Sequence, residues 1–143
     1  MTEAAFYDTW AWIERAQEDS PVGRKLRAEH ATTRLHTSQI TLAELAAVGS
    51  SVGTKDATQA LIDAILRDHT VHELNADDYP RIIETCARLH AHPGKASLAD
   101  VAQYCQALRL GVPYVTADKA FEAEPEESVP SKWRALAATA RKR

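Results

Sequence analysis

The chain of 143 residues is 45% hydrophobic and 26% charged, with a formal net charge of −3. This length supports one domain, residues 1–143, and the composition excludes disordered, collagen-like and disulfide-scaffold proteins. No stretch approaches the ~18 apolar residues of a membrane span and Met1-Thr2-Glu3 lacks a signal peptide's basic start, so a cytoplasmic protein without membrane attachment is expected.

A short apolar run, Ala4-Ala5-Phe6-Tyr7, reads as a first strand that ends at Asp8-Thr9 and gives way to a helix over 10–17. Ser20-Pro21 has the form of a new helix start, Ser20 as cap and Pro21 in the first turn, and that helix carries Arg24, Lys25 and Arg27. A second strand is expected at 35–40, followed by a helix that starts at Thr41 and runs to Gly49. Leu61, Ile62, Ile65 and Leu66 form a helical stripe, and 70–74 reads as a third strand. Asn75-Ala76-Asp77-Asp78 starts the next helix, with its stripe on Ile82, Ile83, Cys86 and Leu89 and a stop at His92-Pro93-Gly94. Cys86 and Cys105 form no C-x-x-C and read as reduced core residues.

The helix from Leu98 places Leu98, Val101, Ala102, Cys105 and Leu108 on its apolar face and leaves Asp100 off it. Gly111-Val112-Pro113 stops this helix, and a short buried strand leads to Asp118. The core spans about 4–121, and the acidic, proline-punctuated 122–130 with a terminal helix over 132–140 forms a C-terminal extension, 122–143. Strands and helices in the order βααβααβααβ imply an α/β fold with a central parallel sheet of about four strands flanked by helices.

In such a sheet, helix N-termini and strand C-termini share one edge, where ligands of open α/β sheets bind. Asp8, Glu44, Asp100 and Asp118 all fall on that edge. Singly, each has a structural explanation: Thr41-x-x-Glu44 and Ser97-x-x-Asp100 resemble capping boxes, and Asp8 and Asp118 suit turns after strands. Together they repel, by roughly 4 kcal/mol for two carboxylates about 4 Å apart at an effective dielectric of about 20, unless a hard divalent cation offsets them. A cation site of this kind supports attack of water on a phosphodiester. It also removes the objection that an acidic protein disfavours nucleic acid, because the remaining surface is then slightly basic.

Tyr7-Asp8-Thr9, Ile40-Thr41-Leu42-Ala43-Glu44-Leu45, Ser97-Leu98-Ala99-Asp100 and Val115-Thr116-Ala117-Asp118-Lys119-Ala120-Phe121 occur in order along the chain. This set resembles the PIN-domain ribonucleases, most closely the VapC-type toxins of toxin–antitoxin pairs. The resemblance implies a three-layer PIN-like fold, with Asp8, Glu44, Asp100 and Asp118 as catalytic metal-site residues and Thr9, Ser97 and Thr116 as hydroxyl residues supporting them. It further implies Mg²⁺ or Mn²⁺ as cofactor, RNA as substrate of an endoribonuclease, a homodimer, and an antitoxin that blocks the site. The chain departs from the family pattern at Trp10, where a small residue is usual, and at Ala120, where a further acid is common.

Lys119, beside an acid, and Trp10 are candidate RNA contacts, as are Arg24, Lys25, Arg27 and Arg141-Lys142-Arg143. Trp12 is expected in the core or at a dimer surface. His90 with His92, and His69 with His72, lack the partners a transition-metal site needs. Two other functions fit the same residues: a non-cleaving RNA-binding or regulatory PIN-like module, and a small phosphoester hydrolase.

Overall fold

Strands and paired helices alternate in the expected order. The computed structural model describes residues 3–51, 54–89 and 96–141. They form β1 (Phe6–Tyr7), α1 (Thr9–Ala16), α2 (Pro21–Glu29), β2 (His36–Ser38), α3 (Gln39–Ser51), α4 (Lys55–Asp68), β3 (Thr70–His72), α5 (Asp78–Leu89), α6 (Leu98–Leu110) and β4 (Tyr114–Val115). A 3-10 turn (Lys119–Phe121) and α7 (Ser131–Arg141) follow. None of the described helices is long and apolar enough to cross a membrane.

All strand pairings are parallel, in the order β3-β2-β1-β4. The chain steps outward from β1 to β2 to β3, then returns across β1 to place β4 on its other side. The gap between the carboxyl ends of β1 and β4 is therefore the topological switch point, where sheets of this kind bind ligands. Strand alternation divides the core into two layers. Tyr7 and Val115 face one cluster with Trp12, Leu26, Leu35 and Ile65, whereas Phe6 and Tyr114 face the other with Val101, Tyr104, Cys105 and Phe121. The protein is thus a three-layer α/β fold. Trp133 of α7 is buried in the first cluster, so the C-terminal segment completes that layer.

Local signals set several boundaries. Ser20 caps α2 by accepting from the Gly23 N–H. Gly23 sits where α1 and α2 nearly touch: an added Cβ would lie 2.0 Å from the Glu14 carbonyl oxygen, so no larger residue fits without moving backbone. Gly111 ends α6 in the left-handed region, at φ 70°, which glycine adopts without a Cβ penalty.

The structure corrects several expectations. The second strand is shorter than 35–40, and α3 starts at Gln39 rather than Thr41, because Ser38 Oγ accepts from the Ile40 N–H and opens the helix two residues early. Leu98 is 67% exposed rather than part of the apolar face of α6; Ile83 on α5 is 72% exposed and Leu66 on α4 is 56% exposed. In each case the buried stripe is narrower than the run of apolar residues. The stop at His92-Pro93-Gly94 lies outside the described residues.

Candidate active site

Asp8 follows β1 and is the N-cap of α1, its Oδ1 accepting from the Ala11 N–H at 2.8 Å. It is a buried acid, 6% exposed. Burial pushes its carboxyl up to about 7, opposed by hydrogen bonds from Thr116 and Ala11 and reinforced by Asp100 and Asp118. Thr116, just beyond β4, has a second role: its Oγ1 accepts from the Asp118 N–H at 3.1 Å. One hydroxyl thus links the acids that follow β1 and β4. Asp118 in turn caps the 3-10 turn by accepting from the Ala120 N–H at 2.9 Å.

Asp100 enters this edge from the first turn of α6. Ser97 is the N-cap and its Oγ accepts from the Asp100 N–H, so the expected cap is formed. The same carboxyl also belongs to the acidic group. Burial pushes it up to about 6, Ser97 opposes the rise, and Asp118, Glu44 and a hydrogen bond to Asp118 add to it. The capping and cluster readings of Asp100 therefore hold together.

Glu44 arrives differently from what its motif suggests. With α3 starting at Gln39, Glu44 lies in the second turn, and Thr41 forms no capping box with it; the Thr41 hydroxyl donates instead to Gln103 Oε1 at 2.8 Å. Glu44 Oε1 accepts from Thr9 Oγ1 at 2.7 Å and from Gln103 Nε2 at 2.9 Å. Thr9, Ser97 and Thr116 thus each hydrogen-bond within the acidic edge. Gln103 was not legible as a site residue, although its spacing of three from Asp100 puts the two on adjacent turns of one helix face.

The main influences on Asp8 and Asp100 are burial, local hydrogen bonds and other acids, with no basic side chain among them. Tyr114, fully buried on β4, feels all four carboxylates, and its hydroxyl has no hydrogen-bond partner among the described residues. An all-oxygen donor set with no basic side chain among the main influences on Asp8 and Asp100 suits a hard cation that keeps part of its water shell. The acids are not gathered into a closed cage: among the described residues no three His, Cys, Asp or Glu side chains lie close enough to hold a metal by themselves.

The remaining candidates separate. Lys119 is exposed beside Asp118. Trp10 is half-buried against the core and lines a cleft of about 300 Å³ with Ala137 and Ala140 of α7. Arg27 is committed to the end of α1, donating to the carbonyls of Arg15, Gln17 and Glu18, while Arg24 and Lys25 are exposed. Trp12 is buried as expected and donates to Thr37 Oγ1. His69 and His72 do not converge: His69 accepts from the Leu35 N–H, and His72 pairs with His36 at 2.9 Å. His90, His92, Lys142 and Arg143 lie outside the described residues. Cys86 and Cys105 are free thiols.

Comparison with known proteins agrees with this architecture. Residues 5–125 match the sequence profile of the PIN domain. No curated protein sequence matches the chain. Among solved structures it is similar to Rickettsia felis VapBC2 bound to a DNA fragment from its promoter, with 17% identity, TM-score 0.72, and 88% of this chain and 96% of that chain covered. DNA-bound VapBC from Salmonella typhimurium gives 18% identity, TM-score 0.71, and 90% and 97% coverage. Mycobacterium tuberculosis VapC20, a toxin that cleaves the sarcin-ricin loop, gives 15% identity, TM-score 0.63, and 92% and 93% coverage. With a family profile spanning most of the chain and its parallel sheet and acidic edge in place, the protein belongs to the PIN domain family.

Proposed function

We propose that the protein is a divalent-cation-dependent endoribonuclease and the toxin of a toxin–antitoxin pair. The observation that carries this reading is that Asp8 and Asp100, at the β1–β4 switch point, both feel Asp118, Asp8 also feels Asp100 and Asp100 also feels Glu44, with no basic side chain among their main influences. The similar toxin-antitoxin complex from Klebsiella pneumoniae and the sarcin-ricin-loop-cleaving toxin VapC20 supply the biological frame. In this frame the chain forms a homodimer and is held inactive by an antitoxin protein that covers the acidic edge.

Asp8, Glu44, Asp100 and Asp118 would hold Mg²⁺ or Mn²⁺, ions that accept few carboxylates and retain water. Such an ion, when bound, activates water and offsets charge on the leaving oxygen of a phosphodiester. The residues' own work is positional. Thr116 and the Ala11 N–H hold the Asp8 carboxylate at the end of β1, and Thr9 holds Glu44. Ser97 holds the start of α6 and with it Asp100, and the Ala120 N–H holds Asp118. Exposed Lys119 is placed to meet a phosphate next to the acids.

The test is cleavage of RNA by the purified chain in EDTA, Mg²⁺ and Mn²⁺, with the product ends identified. Water rather than the ribose 2′-hydroxyl attacks in this reading, so products should carry 5′-phosphate and 3′-hydroxyl ends, only with a cation present. Cyclic 2′,3′-phosphate ends or full activity in EDTA would overturn it. RNA binding without cleavage under every cation would instead identify a regulatory module.

A further inference from the structure

We propose that Gln103 is a positioning residue that ties the Glu44 carboxylate to α6 and so fixes it relative to Asp100 for cation binding. This rests on the reading of the four acids as a cation site. Glu44 comes from α3 and Asp100 from α6, and the Gln103 amide bridges the two helices. Gln103 is fully buried, where an amide is disfavoured unless both its ends are bonded. Both ends are bonded: Oε1 accepts from Thr41 at 2.8 Å and Nε2 donates to Glu44 at 2.9 Å.

The charge on Glu44 sets the direction of this amide. Turned by 180°, it would press Oε1 against a carboxylate oxygen and lose the bond, so the negative charge selects the donor orientation and Thr41 accommodates it. Thr9 from α1 and Gln103 from α6 both donate to the same oxygen, Oε1. Among the described residues Oε2 accepts no hydrogen bond, which leaves one fully held oxygen and one free for a ligand. An apolar residue at 103 would remove the tie to α6 and leave the Glu44 carboxylate held by Thr9 of α1 alone. Partners that orient a metal-binding carboxylate typically contribute about 10- to 100-fold in metal affinity when removed.

The experiment measures Mn²⁺ affinity at pH 7 from the electron paramagnetic resonance signal of free Mn²⁺, with RNA cleavage alongside. The proteins are wild type, Gln103→Met, Glu44→Gln and the double variant. Gln103→Met should weaken Mn²⁺ binding about 10- to 100-fold. In the Glu44→Gln background the same change should have almost no further effect, because the two residues act as one unit. If the methionine variant does not fold, Gln103→Asn, which withdraws the amide by one methylene, should weaken binding in the same direction. Wild-type Mn²⁺ affinity in the Gln103 variants, or a loss that simply adds to that of Glu44→Gln, overturns the assignment and leaves the cation site standing. Failure of the wild-type chain to bind Mn²⁺ overturns both.

Discussion

Asp8→Asn gives the sharpest test of the acidic edge, because capping and charge clustering predict opposite signs. As N-cap, Asp8 Oδ1 accepts from the Ala11 N–H, a bond the asparagine oxygen can keep; the variant loses the charge and faces Thr116 with an NH₂ donor, which the hydroxyl can meet by accepting. Losing charge at a helix N-terminus costs about 0.3 to 1 kcal/mol. Against this, raising the carboxyl from its ordinary 3.8 to about 7 penalises the folded, ionised form by an upper bound of about 4 kcal/mol at pH 8. Burial, reinforced by the neighbouring acids, outweighs the lost helix-end charge, and a net gain of about 1 to 3 kcal/mol should raise the apo melting temperature by about 3 to 10 °C for a domain of this size. Mn²⁺ should reverse the ranking by stabilising wild type, through binding to the folded state alone, and not the variant. Thermal unfolding of both proteins in EDTA and in Mn²⁺ at pH 8 checks this. An apo variant less stable than wild type, with an unchanged Mn²⁺ response, would refute the clustering argument and leave Asp8 a simple cap.

The pH dependence follows from the same acids. Asp8 and Asp100 are raised in the folded state, to about 7 and about 6, so the fold binds their protons more tightly than the unfolded chain does. Apo stability should therefore fall as pH rises from about 4 to about 7, while Mn²⁺ affinity rises over pH 5 to 8; melting curves and Mn²⁺ titrations across that range check both signs. Tyr114→Phe removes a buried hydroxyl with no partner among the described residues and should leave the melting temperature in EDTA unchanged or higher, whereas a clear drop would show that the hydroxyl is bonded. Asp78, fully buried and held by Arg109 at 2.7 Å and by the Asn75 N–H, should be a structural weak point: Asp78→Asn strands the guanidinium and should cost about 3 to 5 kcal/mol in urea unfolding, with cation affinity retained. Sedimentation at micromolar concentration should show a dimer, and a strict monomer would count against the toxin assembly.

Local signals in the sequence determine the order of strands and helices, the caps at Ser20 and Ser97, the stop at Gly111, and the positions of Asp8, Asp100 and Asp118 next to strand ends or helix starts. These features depend on residues two to four apart, and a parallel sheet built from them necessarily gathers such acids along one edge. Tertiary structure decides the support of Glu44. The bonds Thr9–Glu44, Gln103–Glu44 and Thr41–Gln103 join residues 35, 59 and 62 apart, and nothing local marks Gln103 as part of a site. The early start of α3 moves Thr41 from a cap to a buried donor, and the exposure of Leu98 and Ile83 depends on which neighbours cover each helix. A side chain's role is local when its partner lies within one turn; it becomes tertiary when the partner is on another helix, because only packing brings the two together.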